Sequence, residues 1–470
     1  MGSIRLRKPL PHALSRCLAI ASATLSGCVH YQARPIEPMA TVERLDARTL
    51  ADPGLARAVE PARVAGSWPP EVWDLQALTL AGLYFHPDLA VARASWDVTR
   101  ATIVTAGEKP NPGASAGPGY NSSTPADTIT PWILNLNLDL TFETAGKRRL
   151  RIDEARRLSE SARFKIADMA WQVRARIRQS LLDLFASTEI AAALDRQRVI
   201  QENNVVLFQR QLDAGEISRF QMSQARLMLN TLRLSLLDAQ RQQRDARVRL
   251  ATALGLPASA LDGARLGLDV FRLAPSDLPD AAARRQALTN RADVLSALSD
   301  YEASQATLQI EIAKQYPDIH LGPGYQMDQN SNKWTLLFGA TLPVFNRNQG
   351  RIGEAEARRQ LAGAQVEAVQ ARALGAIDRA LAVYRAALAK VTVAEQIIGE
   401  LQTAEQTAQR QLTAGEISQL DLGIVQVELA GRELARLEAL AQAQQALGDI
   451  EDAMQRPADL PTNSLPRPPQ

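Results

Sequence analysis

Gln209-Arg210-Gln211-Leu212-Asp213-Ala214-Gly215-Glu216-Ile217-Ser218 returns 200 positions later as Gln409-Arg410-Gln411-Leu412-Thr413-Ala414-Gly415-Glu416-Ile417-Ser418, with nine of the ten residues unchanged. Each copy closes one long helical pattern and opens another. The glycine stands where a helix is left and the serine where the next can be capped. Each copy therefore reads as the bend of a helical hairpin, and a fixed long period of this kind dictates the architecture.

The repeat extends well beyond the bends. Leu321-Gly322-Pro323-Gly324-Tyr325 answers Ala116-Gly117-Pro118-Gly119-Tyr120, and Phe345-Asn346-Arg347-Asn348-Gln349-Gly350 stands where Phe142-Glu143-Thr144-Ala145-Gly146-Lys147 stood. Asn290-Arg291-Ala292-Asp293-Val294 likewise answers Phe85-His86-Pro87-Asp88-Leu89. The reading is two tandem copies, 75–254 and 280–454, joined by a Gly/Pro/Ala/Asp-rich linker at 255–279. Each copy runs helix, strands, helix, bend, helix.

Before the first copy, residues 1–27 read as a signal peptide. Arg5, Arg7, Lys8 and Arg16 give a basic start, an apolar run follows, and Leu25-Ser26-Gly27-Cys28 forms a small-residue cleavage site. That tetrapeptide resembles the bacterial lipobox, which would make Cys28 a lipidated first residue; Val29 after it favours the outer membrane by the same resemblance. The proline-rich stretch 28–74 reads as an extended arm with one short helix, and 455–470, also proline-rich, as a disordered tail. With Lys plus Arg at 53 and Asp plus Glu at 51, charge gives no reason to expect nucleic acid. No later stretch is a transmembrane helix, so any spanning structure has to be a closed barrel.

The strands are legible by alternation. Leu134, Leu136, Leu138, Leu140 and Phe142 alternate with Asn135, Asn137, Asp139 and Thr141, and in the second copy Trp334, Leu336, Phe338 and Ala340 alternate with Thr335 and Gly339. The partner strand sets Ile319, Leu321, Tyr325 and Met327 against His320, Gly322, Gly324, Gln326 and Asp328. Strands are expected at 115–143 and 318–345, each segment about 10 residues, with Trp132 and Trp334 placed as interfacial aromatics. Four strands do not close a barrel and lipid tolerates no open edge, so three subunits are expected to share twelve strands. From Gly146 to Ala214, and from Gly353 to Thr413, no proline interrupts the helical period. Helices of that length run roughly 90–100 Å, and the four-three spacing of Val173, Ile177, Leu181 and Leu184 is that of a coiled coil. Leu75–Glu108 reads as a helix that Pro87 kinks or starts, Leu266–Phe271 as a small strand, and Leu278–Lys314 as one helical stretch.

With both repeats in hand, the mature chain closely resembles the TolC-like outer membrane factors. Glu143-Thr144-Ala145-Gly146-Lys147-Arg148 and Phe345-Asn346-Arg347-Asn348-Gln349-Gly350 are similar to the signatures of the heavy-metal, cobalt-zinc-cadmium type branch. The family has Gly where this chain has Ala145, and Pro where it has Ala292. The resemblance implies an α+β membrane protein: a homotrimer with four transmembrane β-strands per protomer in a shared 12-stranded barrel, continued by a periplasmic α-helical coiled-coil tunnel. It implies a place in the cell outer membrane, lipid-anchored and barrel-embedded, in contact with outer membrane lipids. It further implies a periplasmic adaptor (membrane fusion) protein and an inner membrane RND transporter as partners.

On this reading Leu212, Gly215, Ile217, Ser218, Leu412, Gly415, Ile417 and Ser418 are adaptor-docking candidates. By the same resemblance Asp421, or alternatively Glu416, is the candidate for an acidic constriction ring. Asn135, Asn137, Asp139, Thr141, His320, Gln326 and Asp328 would line the barrel lumen. No enzymatic constellation is present. His30, His86 and His320 lie far apart, no cysteine other than Cys28 outlasts the signal, and neither a dedicated metal site nor a cofactor beyond the lipid on Cys28 is expected. The function expected is the exit duct of a tripartite efflux pump for divalent heavy-metal cations. An exit duct for drugs or other organic compounds is the alternative, and a periplasmic coiled-coil scaffold or adhesin without a pore is the alternative of another class.

Overall fold

The computed structural model describes residues 29–60, 68–123, 130–273 and 281–457. Cys28, the signal segment and nearly all of the 455–470 tail lie outside them. The chain divides into two compact units at Ala47. The first holds α1 (Pro38–Asp46), opened by its proline.

The second unit begins with α2 (Pro53–Val59), so the described residues of the proline-rich stretch carry two short helices where one was expected. The expected helix over 75–108 is two, α3 (Leu75–Phe85) and α4 (Pro87–Ala106). His86 between them is extended, as a residue before proline tends to be, and its Nδ1 accepts the Asp88 N–H to cap α4. The same break recurs in the second copy at the extended Arg291, between α7 (Ala281–Asn290) and α8 (Ala292–Ala313). Leu266–Phe271 is not a strand. It contributes a single bridge between Trp73 and Leu266, followed by a 3-10 turn at Asp269–Phe271.

The long helices are α5 (Lys147–Asp213), α6 (Arg219–Leu254), α9 (Gln349–Ala414) and α10 (Gln419–Met454). α5 with α6, and α9 with α10, form the two hairpins; α8 and α10 both pack on α5 as well. Val173, Ile177 and Leu181 of α5 and Ile377 and Tyr384 of α9 are fully buried, and with Leu78, Leu250, Leu254 and Ile450 they form one core. Each fully buried large aliphatic side chain stabilises by about 1.5–3 kcal/mol. Arg48 ties the two ends of the first copy together: its Nη1 donates to the carbonyls of Phe85 and Gly255, both at 2.9 Å, at helix ends that have no further turn to accept for.

One buried ionic group crosses this core. Arg178 of α5 pairs with Glu451 of α10 at 3.2 Å and donates to the Gln444 carbonyl at 2.9 Å, with the Phe271 ring 5.6 Å from its guanidinium carbon. Arg174 makes a second contact to Glu451 at 2.9 Å. Burial, reinforced by the neighbouring Glu451, pushes the adjacent Asp452 carboxyl up to about 6, although Trp171 donates to it at 3.2 Å.

The strands are β1 (Gly113–Tyr120), β2 (Trp132–Phe142), β3 (Ile319–Asp328) and β4 (Ser331–Ala340), antiparallel in the order β1-β2-β3-β4. This corrects the expected fold class. The chain is mostly α-helical and carries one open four-stranded sheet, not a closed transmembrane barrel. Strands pair about 4.8 Å apart, so four of them make a ribbon too narrow to curl round and join its own edges. Among the described residues β1 pairs only with β2, and β4 only with β3. The expected barrel-embedded localisation is corrected with it: the sheet is not closed, and no helix among the described residues is long and apolar enough to cross a membrane.

Candidate functional site

Three places hold the residues singled out from sequence: the hairpin bends, the sheet, and the junctions where strands give way to the long helices.

At the bends the duplicated decapeptides fold alike. In the first, Gly215 takes φ +78°, its N–H donates to the Leu212 carbonyl at 3.0 Å, and the Glu216 N–H donates to Gln211 at 2.8 Å. In the second, Gly415 takes φ +76° with the matching bonds to Leu412 at 3.0 Å and Gln411 at 2.9 Å. This is the Schellman closure, in which a left-handed residue satisfies the last carbonyls of a helix. Ser218 and Ser418 then cap the returning helices, each in a reciprocal capping box with Gln221 or Asp421. Leu212, Ile217, Leu412 and Ile417 are half-buried, and the Gly, Glu and Ser positions are exposed. Asp421, a constriction candidate, has its carboxylate on its own helix cap. It accepts from the Ser418 hydroxyl at 2.7 Å and the Ser418 N–H at 2.9 Å, and those bonds hold it below the usual carboxylate range. Glu416 is exposed.

In the sheet, register sorts side chains by face. Asn135 lies opposite Gln326, Asn137 opposite Gly324 and Thr141 opposite His320, so the polar residues of β2 and β3 share one side. Leu134, Leu136 and Leu140 lie opposite Met327, Tyr325 and Leu321, and Tyr325 opposite Trp334, giving an apolar side that runs on into β4. Asn135, Asn137, Asp139, Thr141, His320, Gln326 and Asp328 thus sit together on one face of an open sheet, not inside a closed barrel. A Cβ at Gly324 would meet Thr335 Oγ1 at 2.5 Å and Asn137 Oδ1 at 2.6 Å, so both side chains would have to turn aside for it.

The junction motifs are internal clamps. The Lys147 ammonium is buried and donates to the Tyr316 carbonyl and to Asp318 Oδ1, both at 2.7 Å; Thr144 donates to the Pro317 carbonyl at 2.7 Å. Burial would raise the Asp318 carboxyl, but Lys147 and the Thr144 N–H hold it below the usual range. Arg151 is paired with Glu143. In the second copy Asn348, at φ +63°, donates through Nδ2 to the carbonyl and the carboxylate of Glu311, both at 2.8 Å. Ala145 takes φ +53°, a left-handed backbone in which glycine is less strained.

Two features escaped the sequence reading. Asn204 of α5 is buried against Gly423 of α10, where a Cβ would collide with it, and Arg178 stands likewise against Gly448. A glycine inside a long helix hints at such a close approach, but its partner lies hundreds of residues away. The other is an apolar stripe on α6: Phe220, Leu227 and Leu234 are 70%, 66% and 65% exposed. Their seven-residue spacing was there to be read.

The family model for outer membrane efflux proteins matches residues 83–256 and again 283–454. The chain belongs to the outer membrane efflux protein family. It is therefore a TolC-like outer membrane channel protein and not an enzyme. It is 26% identical over 388 residues to the cobalt-zinc-cadmium resistance protein CzcC of Cupriavidus metallidurans, covering 81% of this chain and 89% of that one. To the pyoverdine export outer membrane protein OpmQ of Pseudomonas putida it is 24% identical over 363 residues, covering 70% and 73%. The fold matches the crystal structure of CusC with a TM-score of 0.65 at 18% identity, over 83% of this chain and 94% of that one.

Proposed function

We propose that this protein is the exit duct of a tripartite RND-type efflux pump and that its cargo is divalent heavy-metal cations. The observation that carries the cargo class is the similarity to a cobalt-zinc-cadmium resistance protein along most of both chains. The duplicated bends support an adaptor with repeated, similar docking surfaces, through Leu212, Gly215, Ile217 and Ser218 and their counterparts Leu412, Gly415, Ile417 and Ser418. Glu416 is the freer of the two constriction candidates, since Asp421 is engaged as a cap. No phosphate-binding loop occurs in the sequence, so energy comes from an inner membrane transporter. The likeness to a pyoverdine export protein supports export of organic compounds as the second reading.

The proposed homotrimer is supported by the α6 stripe. In the second copy the positions equivalent to Phe220, Leu227 and Leu234 are Leu420, Val427 and Leu434 on α10, all half-buried, and Leu434 packs against the cluster that Ala191 and Leu194 of α5 form with Leu236 and Ala239 of α6. α10 covers α5 within one chain, whereas α6 and α9 of the same chain make no comparable contact. The internal repeat therefore pairs α6 of one copy with α9 of the next, with Val393 and Ile397 exposed on α9 to receive it. Because Asn204 meets Gly423, their equivalents Ala404 and Ser223 should meet between copies. A Ser223→Cys/Ala404→Cys protein is expected to oxidise to disulfide-linked oligomers on a non-reducing gel, with either single variant remaining unlinked. Monomeric migration of the oxidised double variant would sink the pairing.

The cargo test is a deletion strain grown on zinc, cobalt, cadmium, nickel, copper and silver, with organic drugs alongside. Loss of tolerance to a few divalent metals, restored by the wild-type gene, is the expected outcome. Unchanged metal tolerance with heightened drug sensitivity would overturn the metal assignment and favour the second reading.

A further inference from the structure

On the polar face of the sheet, His320 of β3 stands diagonally across from Asp139 of β2. Its Nδ1 lies 3.3 Å from Asp139 Oδ1 and 3.3 Å from Thr141 Oγ1. A carboxylate only accepts, so the bond to Asp139 places the imidazole proton on Nδ1 and leaves the Nε2 lone pair available. Among the described residues no hydrogen bond engages Nε2. Both side chains are open to solvent, at 43% and 59% exposure.

The surroundings keep the pair open. Opposite His320 on β4 is Gly339, and opposite Asp139 on β1 is Gly113. A Cβ at those positions would sit 3.5 Å from the His320 Cβ and 3.7 Å from the Asp139 Cβ, so any larger side chain there would stand over the pair. The next two positions along the same face of β3 are Gly322 and Gly324. The nearby cations are already committed: Lys147 pairs with Asp318 at 2.7 Å, and Arg151 with Glu143.

We propose that His320, oriented by Asp139, is a ligand for first-row divalent transition cations, binding through Nε2 with water completing the coordination. An imidazole whose other nitrogen donates to a carboxylate is the arrangement that fixes the ring and its tautomer for metal ligation. Imidazole nitrogen selects zinc- and cobalt-like ions over hard cations such as calcium. Among the described residues no group of three or more His, Cys, Asp or Glu is placed to hold a metal ion, so the site is a one-imidazole contact that an ion in passage can leave. The identification of that ion as cargo rests on the metal-export reading above; the binding itself does not.

The test uses the full-length protein with histidine rings labelled with nitrogen-15, titrated with zinc chloride alone and separately with calcium chloride. Zinc is expected to shift the Nε2 resonance of His320, identified as the signal missing from a His320→Gln variant, while calcium leaves it in place. Asp139→Asn is expected to weaken zinc binding about 10- to 100-fold. Both residues are solvent-exposed, so the variants should keep the wild-type circular dichroism. A His320 resonance unmoved by zinc would overturn the proposal, as would an equal response to calcium; an Asp139→Asn variant binding as tightly as wild type would remove the orienting role. If the deletion strain tolerates metals normally while zinc still shifts His320, the export reading fails and the site stands. If the strain is metal-sensitive and His320 does not respond, the site alone falls.

Discussion

Replacing Gly448 by leucine is expected to cost about 3–5 kcal/mol and to lower the thermal unfolding midpoint more than any surface substitution. The reason is the Arg178 guanidinium, which lies directly over the Gly448 backbone while it pairs with Glu451 and donates to the Gln444 carbonyl. A leucine there has no room, and displacing the guanidinium breaks a buried pair. Removing one partner from such a pair costs far more than the pair itself contributes, because the remaining charge stays buried. Glu451 keeps Arg174 at 2.9 Å, which sets the loss at the lower end of that range. Gly448→Ala should cost less than leucine, because its Cβ, 2.4 Å from Arg178 Nη1, meets only the end of that side chain, which has to move aside for a methyl but not for a whole isobutyl group. Arg178→Met in the Gly448→Leu background should recover part of the loss by vacating the space. Thermal melts followed by circular dichroism on the four proteins check this. A Gly448→Leu protein that melts with wild type would show that α5 and α10 do not approach here as described.

The second large effect is expected at the bends. Gly415→Pro should abolish efflux-dependent metal tolerance in the complemented deletion strain while leaving helix content near wild type. Proline holds φ near −65°, whereas Gly415 needs +76°, and proline also removes the N–H that donates to the Leu412 carbonyl at 3.0 Å. The local cost is about 3 kcal/mol or more. It is paid by the bend alone, because a Cβ built on Gly415 meets nothing within 4 Å and no packing is lost. The tip therefore changes shape while the core around Ile377 and Tyr384 stays in place. Gly415→Ala carries only the strain of a side chain in the left-handed region, about 1 kcal/mol, and should keep most of the tolerance. Metal growth curves with immunoblots for protein level separate a docking defect from a failure to accumulate. Wild-type tolerance with Gly415→Pro at normal abundance would remove the bend from the proposed docking surface.

Much of this architecture was written in local sequence. Helix runs without proline, glycines followed by capping serines, and period-two alternation are properties of neighbouring residues, so α5 could be placed at 146–214 and is found at Lys147–Asp213. The faces of the sheet followed for the same reason, since alternation sends successive side chains to opposite sides whatever lies beyond them. Single residues were harder. Pro87 could kink a helix or start one, and only the backbone of His86, extended and capping α4 through Nδ1, shows that it starts one.

What the tertiary structure alone decided are the relations between distant segments. Whether a sheet closes depends on edges finding partners through space, and here β1 and β4 stay apart, so an expectation built on strand number and membrane logic gave way to an open sheet. The two hairpins carry nearly the same bend, yet α10 is laid along α5 while the matching stripe of α6 is left uncovered. The residues that settle this, Asn204 against Gly423 and Arg178 against Gly448, are separated by more than 200 positions, and no periodicity links them. Local patterns specify elements because backbone and side-chain periods are short-range. Packing partners are selected by shape and buried charge, which exist only once the chain has brought those elements together.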